Sequence, residues 1–303
     1  MYSEDKPCDS GATNYFFMPE AVKRAYSLFG YGCVYCSNQQ IHDAPDAALA
    51  QIRRSVDRGV PVLAWGCGGV EMANGNRLDP LPEGCLIGGY DTENQLLFIN
   101  LYPGAERLAK TSACGRPGVD EDGYTAIHAA PALATTKGLF FLGEKGGKPD
   151  LNRIYQQVLY SIPQRLSMRP RDGYFFGEQA FERWASALQS DAYWQDPQTA
   201  QANCWDKHCC AYCALCTSIG IGADEGVAGY MRKVADALNG VPEAKAVLPL
   251  FQRLRELNQS IWDYQGGFMP PYDRLEEPAY RGTLAAILRE MGGVCRRIVA
   301  AFS

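Results

Sequence analysis

Residues 59–102 read GVPVLAWGCGGVEMANGNRLDPLPEGCLIGGYDTENQLLFINLY, and the fold is decided there. Three apolar runs rich in β-branched and aromatic residues stand at 60–65 (VPVLAW), 84–91 (GCLIGGYD) and 95–102 (QLLFINLY), separated by Gly, Asn, Asp and Pro. Apolar runs punctuated by turn formers are the pattern of strands joined by loops. The second and third runs are close enough to pair as a hairpin across Thr92-Glu93-Asn94.

Upstream, PEAVKRAYSLF at 19–29 has the apolar spacing of a short amphipathic helix, with Pro in its first turn and Gly30 and Gly32 to end it. Residues 1–18 read as irregular surface chain, and 33–36 as a short strand. Residues 45–58 repeat the helical pattern through Ala47, Ala48, Leu49, Ile52 and Val56. Downstream of the hairpin, the Pro, Gly and charge content of 103–123 reads as a long loop. Tyr124 to Ile127 reads as a brief strand and GLFFLG at 138–143 as a buried one. The charged, Gly-rich EKGGKP at 144–149 marks a domain boundary, beyond which the pattern turns helical: 151–166, 177–189, 203–219, 224–238, 242–262 and 278–302. In 242–262, Val247, Leu250, Phe251, Leu254, Leu257 and Ile261 form one stripe facing a core. The expected fold class is α+β: a small, mostly antiparallel sheet with flanking helices over 1–147, then an all-helical domain over 148–303.

Composition narrows the function classes. The chain has 303 residues, 47% of them hydrophobic, and a formal charge of −5. A nucleic-acid partner would leave a basic footprint, so none is expected. No run of 18 apolar residues occurs, so no membrane partner is expected. The opening MYSEDKPCDSGATNYFF is too polar and acidic for a secretion signal, which makes a cytoplasmic location the default expectation. The amphipathic surface of the helical half leaves a homodimer open.

Twelve cysteines in a chain this large point to reduced thiols rather than to the disulfide framework of a small secreted domain. HCCAYCALC at 208–216 gives Cys210, Cys213 and Cys216 the C-x2-C-x2-C spacing of half an iron–sulfur site, but the fourth cysteine and the proline that complete that motif are replaced by Gly220 and Ile221. Cys33-x2-Cys36 could complete a zinc set or act as a redox pair. The simpler reading is packing: Cys209, Cys213 and Cys216 recur at i, i+4 and i+7, one face of a helix, among the helix formers Ala211, Ala214 and Leu215. His42, His128 and His208 share no motif, and no P-loop, G-x-S-x-G or H-E-x-x-H occurs, so neither a cofactor nor a bound metal is expected in the leading reading. Gly66-Cys67-Gly68-Gly69 lacks the lysine of a P-loop and reads as a turn needing unusual backbone angles.

The strand, the proline-rich loop ending in Leu81-Pro82-Glu83, the strand ending in Gly89-Tyr90-Asp91 and the helical C-terminal half together resemble the bacteriocin-processing (C39-like) branch of the papain-like cysteine peptidases. The closest resemblance is to a bacterial group related to the N-terminal domain of the butirosin-biosynthesis acyltransferase. It covers 61–102 best, and 138–144 and the helix around Trp184 more loosely. The resemblance implies a papain-like sheet and a Cys-His-Asp type site. Its histidine position falls on Glu83 and its orienting aspartate on Asn100, so the triad is degenerate. Its nucleophilic Cys belongs at the start of a helix well before the sheet. Cys8, between Pro7 and Asp9-Ser10-Gly11, reads as a turn, so that helix is expected to be missing or cut off by the choice of start. Cys67, just past a strand in a Gly-rich turn, is then the alternative nucleophile facing Glu83. Cys85 reads as core, and Asp91 as a holder of the hairpin turn.

A Cys–Glu pair is a poor peptidase, because a carboxylate disfavours a neighbouring thiolate. It remains workable for acyl transfer, where Glu83 could deprotonate an incoming amine or hydroxyl once burial raises its pKa. The resemblance therefore implies acyl transfer or amide hydrolysis on a peptide or an amine-bearing metabolite, with Glu83 as base and Asn100 as orienter. Two other classes stay open: a non-catalytic binding module for a small molecule or peptide, and a metalloprotein built on the Cys-rich helix.

Overall fold

The apolar runs that open the sequence reading are strands, and they sit in the middle of the sheet. The computed structural model describes all residues except 7–9, 66–69, 72–76, 79–83, 92–94, 100–124 and 221–225. The strands are β1 (Tyr31–Ser37), β2 (Val62–Trp65), β3 (Val70–Glu71), β4 (Arg77–Leu78), β5 (Gly84–Tyr90), β6 (Gln95–Ile99), β7 (Thr125–His128) and β8 (Gly138–Lys145). Among the described residues six of them form one antiparallel sheet in the order β1-β8-β2-β5-β6-β7, while β3 and β4 pair separately.

The chain divides into two compact units. One is Phe17–Pro149; the other joins Met1–Phe16 to Asp150–Ser303. The first holds the sheet. Helices α2 (Asn38–Asp43), α3 (Pro45–Asp57) and α4 (Ala129–Thr135) pack on one of its faces. Alternate residues of each strand point to that face: Val62 and Ala64 of β2, Cys85 and Ile87 of β5, Leu139 and Phe141 of β8. They meet Ile41 of α2, Ala48 and Ile52 of α3, and Ala132 and Leu133 of α4. Each fully buried aliphatic side chain there contributes about 1.5–3 kcal/mol relative to exposure. On the opposite face the Tyr35 and Phe140 rings lie 4.9 Å apart. A Cβ at Gly138 would stand 2.7 Å from the Tyr35 ring, so any larger residue there would have to push that ring aside.

Residues 10–18 correct the sequence reading. They are not irregular: a single helix α1 runs Ser10–Leu28, nine residues longer at its start than the apolar spacing suggests. Pro19 sits inside it. Helix α2 was also missed, although its signal is in the sequence. Ser37 accepts from the Gln40 backbone N–H while the Gln40 side chain accepts from the Ser37 N–H, a reciprocal capping box.

The second unit is helical: α5 (Leu151–Leu166), α6 (Gly177–Gln189), α7 (Pro197–Asn203), a π-helical turn Cys204–Cys209, α8 (Cys210–Ile219), α9 (Gly226–Ala237), α10 (Pro242–Gln265), α11 (Tyr272–Glu276) and α12 (Pro278–Ala300). Helices α6 and α12 pack along each other, drawn close where Gly292 faces Glu178 and Phe181, and are bridged by Glu178–Arg296 and Glu182–Arg289, each at 3.0 Å. Tyr2 is fully buried here. Its backbone pairs with Phe175, and its ring stacks 5.9 Å from Trp184. The α10 stripe is buried as its spacing implies, with Val247, Phe251, Leu254, Leu257 and Ile261 inside. Buried Arg281 of α12 serves as a hub: its guanidinium donates to the carbonyls of Leu188, Leu275 and Glu276 and to the Asp191 carboxylate. It thereby satisfies helix-end acceptors that packing removes from water. The chain is a mixed α+β protein. No described helix is long and apolar enough to cross a membrane.

Candidate functional site

The pairing registers bring one set of strand ends together. Trp65 is opposite Gly84 on one side and Gly138 on the other, Ser37 is opposite Gly138, Ile99 is opposite Leu86, and Phe98 is opposite Thr125. The ends of β1, β2 and β6 and the starts of β5, β7 and β8 therefore share one end of the sheet. That end is tied by backbone and side chain: Lys137 N–H donates to the Trp65 carbonyl at 2.9 Å, and Asn38 Nδ2 donates to the Thr136 carbonyl at 2.8 Å. Three positions singled out in the sequence adjoin these strand ends along the chain. Cys67 follows Trp65 by two residues, Glu83 precedes Gly84, and Asn100 follows Ile99. All three lie outside the described residues.

Cys8 also lies outside the described residues, but the helix that follows it does not. Helix α1 starts at Ser10, two positions after Cys8, so the reading of Ser10 and Gly11 as part of a turn rather than a helix start is corrected. Sequence reasoning missed this start because the apolar periodicity becomes regular only after Pro19.

Tyr90 of the Gly-Tyr-Asp motif has a structural task. Its hydroxyl donates to Asp57 Oδ1 at 2.7 Å, and the Arg53 guanidinium lies 5.2 Å over its ring, which ties the far end of β5 to α3. The hydrogen bond to Asp57 raises the Tyr90 pKa above its ordinary value. Cys85 is core, as expected, at 4% exposure. A 550 Å³ depression lined by Val34, Arg54, Asp57, Phe141 and Glu144 lies toward the start of β1 and the end of β8, away from the strand ends that flank Cys67 and Glu83.

The cysteine motifs resolve differently from their spacing. Cys33 and Cys36 lie on β1, not at a helix start. Three residues apart on a strand, they point to opposite faces, so they cannot act together as a dithiol or a pair of ligands. Burial raises both thiols, and for Cys33 the nearby Lys23 opposes that rise. Among the described residues no group of three or more His, Cys, Asp or Glu side chains converges as a metal site.

In the helical unit the π-turn breaks the expected face. Cys209 is buried, but Cys213 and Cys216 are only half-buried, while Cys210, Tyr212 and Ala214 go inside. The turn also buries His208. Its Nε2 lies 2.9 Å from Gln265 Oε1, and the Gln265 amide donates to the carbonyls of Gly267 and Phe268. With both amide hydrogens spent there, Gln265 must accept, so Nε2 carries the imidazole proton. Nδ1 is buried without a partner. The ring stacks 6.0 Å from Tyr212 and lies 5.5 Å from Trp184. Burial pushes its pKa down to about 4 against the opposing bond to Gln265, so the ring is neutral at physiological pH. Neither this pocket nor the turn that builds it was readable from residue spacing; the excess of Cys and aromatic residues at 204–216 was the only sign.

No protein-family model matches the chain, and no curated protein matches its sequence.

Proposed function

We propose that the protein is a papain-like (C39-like) member of the group related to the butirosin acyltransferase, carrying a degenerate triad. In this reading it transfers an acyl group to, or hydrolyses an amide of, a small peptide or amine-bearing metabolite. The observation that supports the reading is the antiparallel sheet whose strand ends adjoining Cys67, Glu83 and Asn100 all fall at one end. Catalytic residues carried on loops at a common end of a rigid sheet are the usual arrangement of an enzyme site. Glu83 is assigned as the base that takes a proton from the incoming amine, and Asn100 as its orienter. The nucleophile is a cysteine.

Cys67, two residues past the end of β2, is assigned as the nucleophile, because that strand end pairs with the start of β5, which directly follows Glu83.

The test is an assay with an acyl thioester donor and a panel of small amines. Glu83→Gln should abolish turnover while leaving the unfolding transition in place. Full activity in Glu83→Gln would remove this site assignment. A protein that binds amines or peptides without turnover would instead support a binding module.

A further inference from the structure

Residues 204–209 are wound as a π-helix, and the Cys210 N–H bonds back to the Trp205 carbonyl, five residues earlier. In an α-helix residues i and i+5 lie about 140° apart around the axis, since each residue turns about 100°. The i→i+5 bonding of a π-turn stacks them instead. Cys204 and Cys209 occupy those two places, and their sulfurs lie 3.4 Å apart, both fully buried. The flanking aromatic groups hold the turn in this form: Tyr2 donates its hydroxyl to the Lys207 carbonyl at 3.3 Å, and His208 is fixed by Gln265. The backbone irregularity thus has one chemical result, a pair of touching thiols that regular helix geometry would separate.

We propose that Cys204 and Cys209 are a modification site that closes reversibly into an intrahelical disulfide. A sulfur–sulfur bond is about 2.05 Å long, so the two sulfurs must approach by roughly 1.4 Å. The oxidant is a low-molecular-weight disulfide. One of the two sulfurs attacks it as thiolate, forms a mixed disulfide and expels one small thiolate. The other then attacks the protein sulfur of the mixed disulfide and expels the second small thiolate. Two electrons pass from the cysteine pair to the small disulfide, and the two thiol protons end on the expelled thiolates. Mutual hydrogen bonding and burial hold the Cys209 thiol protonated in the closed fold. Reaction therefore proceeds through local opening of the helical unit and is slow.

The sequence supplies a direct readout. Trypsin cuts after Arg183, Lys207 and Arg232, so Cys204 and Cys209 fall on different peptides, 184–207 and 208–232, and the first of these contains no other cysteine. The folded protein is equilibrated in glutathione buffers of increasing oxidation, acid-quenched, alkylated and digested. The linked pair of peptides, two hydrogens lighter than their sum, should go from undetectable under dithiothreitol to the dominant form under excess glutathione disulfide. Fragmentation of the linked species should place the bond at Cys209. The link should vanish in Cys204→Ser and Cys209→Ser and persist in Cys210→Ser. Because fragmentation of the wild-type peptide assigns the bond, the outcome does not depend on the variants folding. Absence of the link in every buffer, or a bond at Cys210, Cys213 or Cys216, would overturn the proposal.

Discussion

Two cysteine pairs in this protein look alike on paper and end up opposite in space. Cys33 and Cys36 have the spacing of a redox or metal pair, yet the strand that carries them sends them to opposite faces. Cys204 and Cys209 have a spacing that suggests nothing, yet a π-turn puts their sulfurs 3.4 Å apart. Spacing becomes chemistry only through the backbone that carries it. A motif valued for its helix geometry is void on a strand, and one extra residue in a helical turn can create a pair that no motif describes.

The comparison can be broken most violently by dissolving the packing that holds the π-turn. Gly177 opens α6 at φ +52, where an added Cβ would lie 1.9 Å from the Leu166 carbonyl oxygen. Gly177→Ala must displace backbone, shift α6 and pull Trp184 away from His208. The expected loss exceeds about 4 kcal/mol, the range reserved for severe core damage. Urea unfolding with His208 or Trp184 as the probe would show it, and a loss below about 1 kcal/mol would mean the turn is not held by α6.

Next is Arg281. Arg281→Met keeps most of the volume but strands the Leu188, Leu275 and Glu276 carbonyls and the Asp191 carboxylate. Removing one partner from a buried charged network costs about 3–5 kcal/mol, at the lower end here because Asp191 is more than half exposed. Equilibrium unfolding should show that loss in the helical unit.

The third test uses pH. The folded His208 titrates at about 4, below the ordinary histidine value near 6.5. The unfolded chain therefore binds a proton between these values that the folded chain refuses. The stability contribution of neutral His208 is complete above about pH 6.5 and is lost as pH falls toward 4, by about 1.4 kcal/mol per pH unit and about 3 kcal/mol in all. Unfolding curves at pH 7.5, 5.5 and 4.5 should show the decline, and His208→Gln should flatten it. An unchanged decline in that variant would assign it to other groups.

The smallest effect sharpens the other side of the comparison. Under the oxidising buffers that link Cys204 to Cys209, no Cys33–Cys36 link should form, because bridging opposite faces of β1 would require unpairing it from β8. Peptide mapping of the same samples checks this, and a Cys33–Cys36 link would mean that β1 leaves the sheet readily.

What was legible in the sequence was what periodicity controls. The 84–91 and 95–102 runs gave the β5–β6 pair, the 138–143 run gave β8, and the α10 stripe gave a buried helix face, because alternation and helical spacing act locally. Helix α1 was cut short because Pro19 looked like a start, although a proline can also sit within a helix at the cost of one hydrogen bond. Helix α2 is only six residues long and too brief for periodicity, but its Ser37–Gln40 capping box was there to be read. The π-turn was invisible, since it depends on packing by Tyr2, Trp184 and Gln265, residues far away in the chain. At the candidate site, the strand framework could be read in advance, while Cys67, Glu83 and Asn100 rest on resemblance and on the strand ends they adjoin.

The measurement that tests the proposed function most directly is thiol mapping of the folded protein with a mild alkylating probe at pH 6 and pH 8. An activated nucleophile is already thiolate at pH 6. The account predicts that Cys67 labels at nearly the same rate at both pH values, while Cys204 and Cys209 stay protected. An ordinary thiol with a pKa near 8.5 slows about 100-fold between the two. If every cysteine shows that slowing, the chain holds no activated nucleophile and the catalytic reading is contradicted.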